Sequence, residues 1–284
     1  MATSHTSPRR GFSISSPWAW AIVLPSITLI FVGLVTMFPS LAGIPSHDNS
    51  NVDVSPKLFE SLSGAILAPL GLSASRGAPT TASFLESITA RRTWYALDKT
   101  LPTTQERITG IVQDAMQSVP SSFNAQSNRA VVLFGAEHEK LWDIVTGVLK
   151  TRVSEDQWIS TSAKTAGFRA AAGTVLFFVD TEVVQNFVEN IPSYADQFPI
   201  WATQSDAMLQ HTVWVALATE GLGGNLQHYN PLIDTKVAEA WDLPTNWRLT
   251  SQLVFGGRIG PTPEPKEKKS VQEKVRVVGM AGGA

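Results

Sequence analysis

The chain contains no cysteine among its 284 residues. Disulfides, thiolate metal sites, iron–sulfur ligation, cysteine nucleophiles and dithiol redox chemistry are thereby excluded. Charge is also scarce. Asp, Glu, Lys and Arg make up 16% of the residues, against roughly 25% in ordinary soluble domains. The 22 basic and 24 acidic residues nearly cancel, for a formal net charge of −2. A broad basic surface is therefore not expected, and nucleic acid is not an expected partner. The five histidines (His5, His47, His138, His211, His228) form no H-x-x-x-H or H-E-x-x-H pair, which argues against a histidine-built metal centre. No phosphate-binding G-x-x-x-x-G-K-[ST] and no G-x-S-x-G elbow occur. Gly221-Leu222-Gly223-Gly224 follows an expected helix and lacks the last glycine of a dinucleotide fingerprint. A redox role would have to borrow its cofactor.

The charge deficit is local. Residues 11–46 carry no Asp, Glu, Lys or Arg, and 17–43 are mostly apolar. About 20 apolar residues span a bilayer as a helix. Arg9 and Arg10 precede the run, and Trp18 and Trp20 stand where interfacial aromatics lie. A single transmembrane anchor over about 17–43 is expected within a charge-poor segment 1–46, giving a membrane location. The apolar run is long for a secretory signal and too apolar for a typical mitochondrial presequence. A miscalled start is the remaining alternative, which would leave a cytoplasmic or mitochondrial protein. Residues 47–82, rich in Ser, Pro and Gly, read as a flexible linker.

Regular patterning begins near Ser83. Ser83-Phe84-Leu85-Glu86 and Thr103-Thr104-Gln105-Glu106 read as helix-opening capping boxes. Ile108, Ile111, Val112, Ala115, Met116 and Val119 share one face of the second helix. Residues 129–135 and 174–180 are candidate buried strands, with an amphipathic helix through Leu141, Ile144, Val145, Val148 and Leu149 between them. Residues 204–220 form a long helix closed by Gly221, in which His211 and Trp214 read as core or interface. A short extended segment spans 225–229. Asn230 and Pro231 are expected to open a helix running to about Trp241. A strand covers 249–258, and the tail ends in a candidate edge strand, 275–279. The expected class is α+β, a central mixed or antiparallel sheet flanked by helices.

Four short segments carry candidate chemistry. Arg91-Arg92-Thr93 ends a helix with two planar guanidinium forks and a hydroxyl, suited to phosphate oxygens. A cationic last turn complementing the helix dipole is the plainer alternative. Ser121, Ser122, Asn124 and Gln126, between a helix and a strand, can read the polar edge of a flat heterocycle, or simply form a turn. Gly223 and Gly224 permit close backbone approach, and Asn225, Leu226, Gln227 and His228 follow them. Lys268 and Lys269 lie in a charged tail that by itself reads as solvated.

Taken in order, these pieces are more specific than any one alone. The runs ARRTWYAL, SVPSSFNAQSNRAVVLF, TEGLGGNLQHYNPLID and LVFGG with its lysine tail resemble the nitroreductase family of FMN enzymes. The similarity extends over 83–279 and is greatest to the fungal and bacterial branch linked with oxidative stress and fatty-acid repression. It implies an α+β nitroreductase-like fold and an intertwined homodimer with two flavin sites at the interface. It assigns Arg91, Arg92 and Thr93 to the FMN phosphate and ribityl chain, and Ser121, Ser122, Asn124 and Gln126 to the ring and ribityl. Asn225, Leu226, Gln227 and His228 run along the flavin, and Lys268 or Lys269 closes the phosphate site. Phe123 lines the substrate pocket of the partner subunit. Tyr95, also expected at the cofactor, stands where many relatives carry Lys or Arg. The implied activity is hydride transfer from NADH or NADPH to nitroaromatic or quinone acceptors by a ping-pong cycle, with no catalytic side chain needed. A membrane-tethered flavin sensor with little turnover is the alternative.

Overall fold

The structure, a computed structural model, describes residues 80–280. Its organising element is a strand with no exposed face. Gly173–Asp180 (β3) is buried at every position, as a continuous apolar run between two helical layers requires. Val175 and Phe177 point to one layer, Leu176 and Phe178 to the other.

Among the described residues, seven helices and five strands build three layers. In chain order they are α1 (Thr81–Ala90), β1 (Leu97–Asp98), α2 (Gln105–Ser118), β2 (Asn128–Phe134), α3 (Gly135–Lys150), α4 (Glu155–Arg169), β3, α5 (Thr181–Asn190), α6 (Phe198–Thr219), β4 (Gly223–Gln227), α7 (Asp234–Ala240) and β5 (Trp247–Arg258). Every strand pairs antiparallel. The order is β1-β5-β3-β2, and β4 pairs β5 along its outer edge beside β1. One core forms under α2 and α6 from Ile108, Ile111, Leu209, Val213, Phe177 and Phe255. The other forms under α3, α4 and α7, around Trp142, Phe168, Phe178 and Val237.

Several boundaries differ from the sequence reading, each for a local reason. The helix expected to open at Ser83 begins at Thr81. The Thr80 hydroxyl accepts the Ser83 N–H at 3.1 Å, so Ser83 sits inside the first turn. Thr104, not Thr103, caps α2, accepting from the Arg107 N–H. The long helix starts six residues earlier than expected, with Pro in its first turn. The Asn230–Pro231 peptide is cis and α7 opens only at Asp234. Asn230 does not cap it, because its Oδ1 accepts from Gln252 Nε2 at 3.3 Å. The edge strand expected at 275–279 does not form. Val275, Val277 and Val278 stay exposed with no strand partner among the described residues.

The expected membrane attachment is corrected. No helix among the described residues is long and apolar enough to cross a membrane. The longest, α6, interrupts its apolar content with Gln204, Asp206, Gln210 and His211. The segment 17–43, on which the attachment rests, and most of the linker 47–82 lie outside the described residues.

Candidate flavin site

The site begins at the outer edge of β5. The chain leaves α6 through Gly221, whose φ of 89° is left-handed and suits a residue without a Cβ. It then enters β4, which pairs β5 from Gly223 opposite Gly256 to Gln227 opposite Gln252. The segment after α1 runs along the free side of β4. Thr93 forms a parallel bridge with Gly224, and the Trp94 N–H donates to the Gly224 carbonyl at 2.9 Å. Asn225, fully buried, donates from Nδ2 to the Trp94 carbonyl at 2.7 Å. Its Oδ1 accepts from Gln227 Nε2 at 2.8 Å. Two segments far apart in sequence, 91–94 and 224–227, are thus fastened side by side.

The two arginines of the first segment behave differently. Arg92 is turned back on α1, where its Nη1 donates to the Thr89 carbonyl at 2.7 Å. Arg91 lies flat over the indole of Trp214, its guanidinium carbon 4.3 Å from the ring centroid. Burial, and secondarily repulsion from Arg92, pull its pKa below the ordinary guanidinium value. Its side chain makes no hydrogen bond or ion pair among the described residues, so its donors remain available to an anion. The sequence reads Trp214 as a core or interface residue; its indole N–H is buried without a partner among the described residues. Arg258, not anticipated, donates from Nη2 to the carbonyls of Ala218 and Leu222, each at 2.8 Å, and closes the end of α6. Burial lowers its pKa as well.

The remaining candidates lie elsewhere on the chain. Ser121, Ser122, Asn124 and Gln126 precede β2, at the opposite edge of the sheet. Their loop is tightly wound: Phe123, Asn124 and Gln126 have φ of 58°, 53° and 50°, which non-glycine residues adopt at a cost. The Ser121 hydroxyl steadies it by accepting the Gln126 N–H at 2.9 Å. Beside it lies a recess of about 170 Å³ lined by Ser121, Asn124, Gln126, Asn128 and Arg129. The Phe123 ring, half exposed, packs on Phe187, Tyr194, Phe198 and Trp201 with centroids 5.5–6.4 Å apart. Tyr95 and His228 are exposed. Lys268 and Lys269 lie exposed in the tail, where the Lys269 carbonyl accepts from Lys274 Nζ. The first and third segments therefore meet within one chain. The second does not join them there.

The donor set fits FMN. An uncommitted guanidinium suits phosphate, hydroxyls and side-chain amides suit a ribityl chain, and the backbone of β4 can follow a flat ring. A sequence model of the nitroreductase family matches residues 88–257. HBN1 of Saccharomyces cerevisiae is 38% identical over 198 residues, which is 69% of this chain and 97% of that protein. The nitroreductase CinD of Lactococcus lactis, solved with 4-nitrophenol, is 42% identical with a TM-score of 0.63, over 69% of this chain and all of that one. A more distant nitroreductase, from Desulfitobacterium hafniense with bound FMN, shares the fold at 15% identity and a TM-score of 0.52, over 68% of this chain and 97% of that one. The chain belongs to the nitroreductase family of oxidoreductases.

Proposed function

We propose that the protein is an FMN-dependent oxidoreductase that takes hydride from NADH or NADPH and reduces nitroaromatics or quinones. The observation that carries this reading is the fastening of 91–94 to 224–227, which sets the uncommitted Arg91 guanidinium beside the glycine-lined backbone of β4. When bound, FMN supplies the redox chemistry, with nicotinamide donor and acceptor taking turns at one face.

The chain's own groups bind and orient. Arg91, with Arg92 and Thr93 beside it, holds the phosphate end. Asn225, Leu226, Gln227 and His228 border the ring, with Tyr95 near it in place of the cation common among relatives. Lys268 or Lys269 folds over the phosphate. Ser121, Ser122, Asn124 and Gln126 complete the site from the second copy of a homodimer, since one chain keeps them at the far edge of the sheet. Phe123 from that copy walls the acceptor pocket. The exposed face of α6 suits the dimer contact: Ile200 and Met208 are large apolar side chains left exposed on it, as a surface awaiting a partner would be.

Purification of the full chain tests this directly. A yellow protein with about one FMN per subunit, oxidising NADH or NADPH only when a nitroaromatic or quinone is present, is expected. A colourless protein that takes up no added FMN overturns the reading.

A further inference from the structure

We infer that Trp214 is the positioning residue of the phosphate end of the site: its indole face holds the Arg91 guanidinium flat and aimed, so that Trp214 sets the affinity for the phosphorylated form of the flavin. The inference rests on the proposed flavin function and goes beyond it, by assigning a role to a residue of α6 that need not touch the cofactor.

Three observations carry it. First, Arg91 is half-buried yet has no carboxylate or carbonyl partner for its side chain among the described residues. Arg92, its neighbour, is committed to the end of α1. Among the described residues, what orders the Arg91 guanidinium is the stack on Trp214 at 4.3 Å. Such a stack leaves all the in-plane N–H donors free, whereas an ion pair would consume them. Second, the indole is itself held in place. A Cβ on Gly224 would lie 3.2 Å from Trp214 Nε1 and 3.1 Å from the Val254 carbonyl oxygen. The edge of the indole thus rests against the bare backbone of β4, in the strand that Thr93 bridges. Third, the indole N–H is buried without a hydrogen bond among the described residues. Leaving that donor unpaired is costly, and Phe or Leu would pack there without the cost. What Trp offers beyond them is the strongest aromatic face for a cation.

The arrangement forms a relay of contacts: β4 backbone, indole, guanidinium, anion. Loss of the indole would free Arg91 to sample other rotamers and pay ordering entropy on each binding event. A cation–π contact of ordinary strength corresponds to about a tenfold change in affinity.

The test compares two ligands that differ in the phosphate. FMN and riboflavin are titrated into the full chain, stripped of flavin, for wild type, Trp214→Leu, Trp214→Phe, Arg91→Ala and the Leu/Ala double variant. The assignment requires Trp214→Leu to weaken FMN about tenfold and leave riboflavin unchanged, with Trp214→Phe between it and wild type. Arg91→Ala should lose FMN affinity selectively, and adding Trp214→Leu to it should cost little more. Equal weakening of FMN and riboflavin by Trp214→Leu would mean a packing role only and overturn the assignment. So would unchanged FMN affinity. Should the Leu variant fail to fold, the Phe variant decides alone: a loss confined to FMN supports the assignment, and no loss or an equal loss overturns it. Failure of the wild type to bind either ligand would overturn the proposed function and this inference together. Flavin binding that ignores both Arg91 and Trp214 would overturn the inference alone.

Discussion

Asn225 and Trp94 are joined by a hydrogen bond of 2.7 Å from the Asn225 amide to the Trp94 carbonyl, within a side chain that has no exposed surface. The same amide's oxygen takes a bond from Gln227. One buried side chain therefore satisfies a loop carbonyl and a strand side chain at once. Removal of one partner of a buried bond strands the other, at about 1–3 kcal/mol. Asn225→Ala is expected to lower the stability of the chain by that amount in urea unfolding. It should also weaken FMN uptake, because 91–94 would no longer be tied to β4. A variant with wild-type stability would show that the bridge at Thr93 suffices.

His138 lies in the opposite core, fully buried against Trp142. Its Nδ1 faces the Thr174 hydroxyl at 2.9 Å and its Nε2 the Phe168 carbonyl at 3.1 Å. A carbonyl can only accept, so the proton sits on Nε2, and Nδ1 accepts from Thr174. The ring is satisfied when neutral. Burial pushes its pKa down to about 4 from 6.5. The unfolded chain therefore binds the proton first as pH falls. The stability held above pH 6.5 is lost progressively toward pH 4, by about 3 kcal/mol in all. His138→Gln, with no proton to gain, should flatten the unfolding midpoint over that window. A wild-type profile equally flat there would contradict the assignment.

The legible parts of the fold were those whose apolar pattern has a single reading. β2 and β3 are legible as short apolar runs, and α2 and α3 as one-sided helices with a defined buried face. α5 was missed although Val183, Val184, Phe187 and Val188 recur at helical spacing, and none of its residues is fully buried. α4 was missed for a related reason: Trp158 is only partly buried and Ile159 is exposed, leaving few anchors. At the site, residue types pointed to the right segments but not to their roles. Arg91 and Arg92 read alike in sequence, and only the fold shows one capping α1 and the other lying on Trp214. Trp214 was hidden because apolar and polar residues of α6 are spread around the helix without a single stripe, so its sequence does not reveal which face does what. The left-handed backbone at Phe123, Asn124 and Gln126 had no glycine to signal it.

Phe123 combines that strained backbone with four aromatic neighbours. The strain costs on the order of 1–3 kcal/mol. The ring contacts return about 0.5–1.5 kcal/mol each, so together they outweigh it. Phe123→Ala keeps the strain and loses the contacts, and should destabilise the chain by about 2 kcal/mol or more. Under the proposed function it should also raise KM for a flat nitroaromatic while leaving FMN affinity unchanged, as expected when binding shared by ground and transition states is removed. Steady-state kinetics at saturating NADH separates the two effects. An unchanged KM would place the acceptor away from this ring.

Met208 and Ile200 lie exposed on α6, eight residues apart and hence on one side of the helix. If this face joins two copies, the contact is isologous and any substitution enters it twice. Met208→Glu then places two carboxylates in an apolar contact, where burial of unpaired charge is strongly unfavourable. Sedimentation should show a dimer in the wild type and a shift to monomer in the variant. Bound FMN should fall with the dimer fraction, because the loop at Ser121–Gln126 would no longer reach the 91–94 segment of the other copy. Circular dichroism should stay unchanged, since Met208 is not part of the core beneath α6. A monomeric wild type that nevertheless holds FMN would break the link between dimer and site.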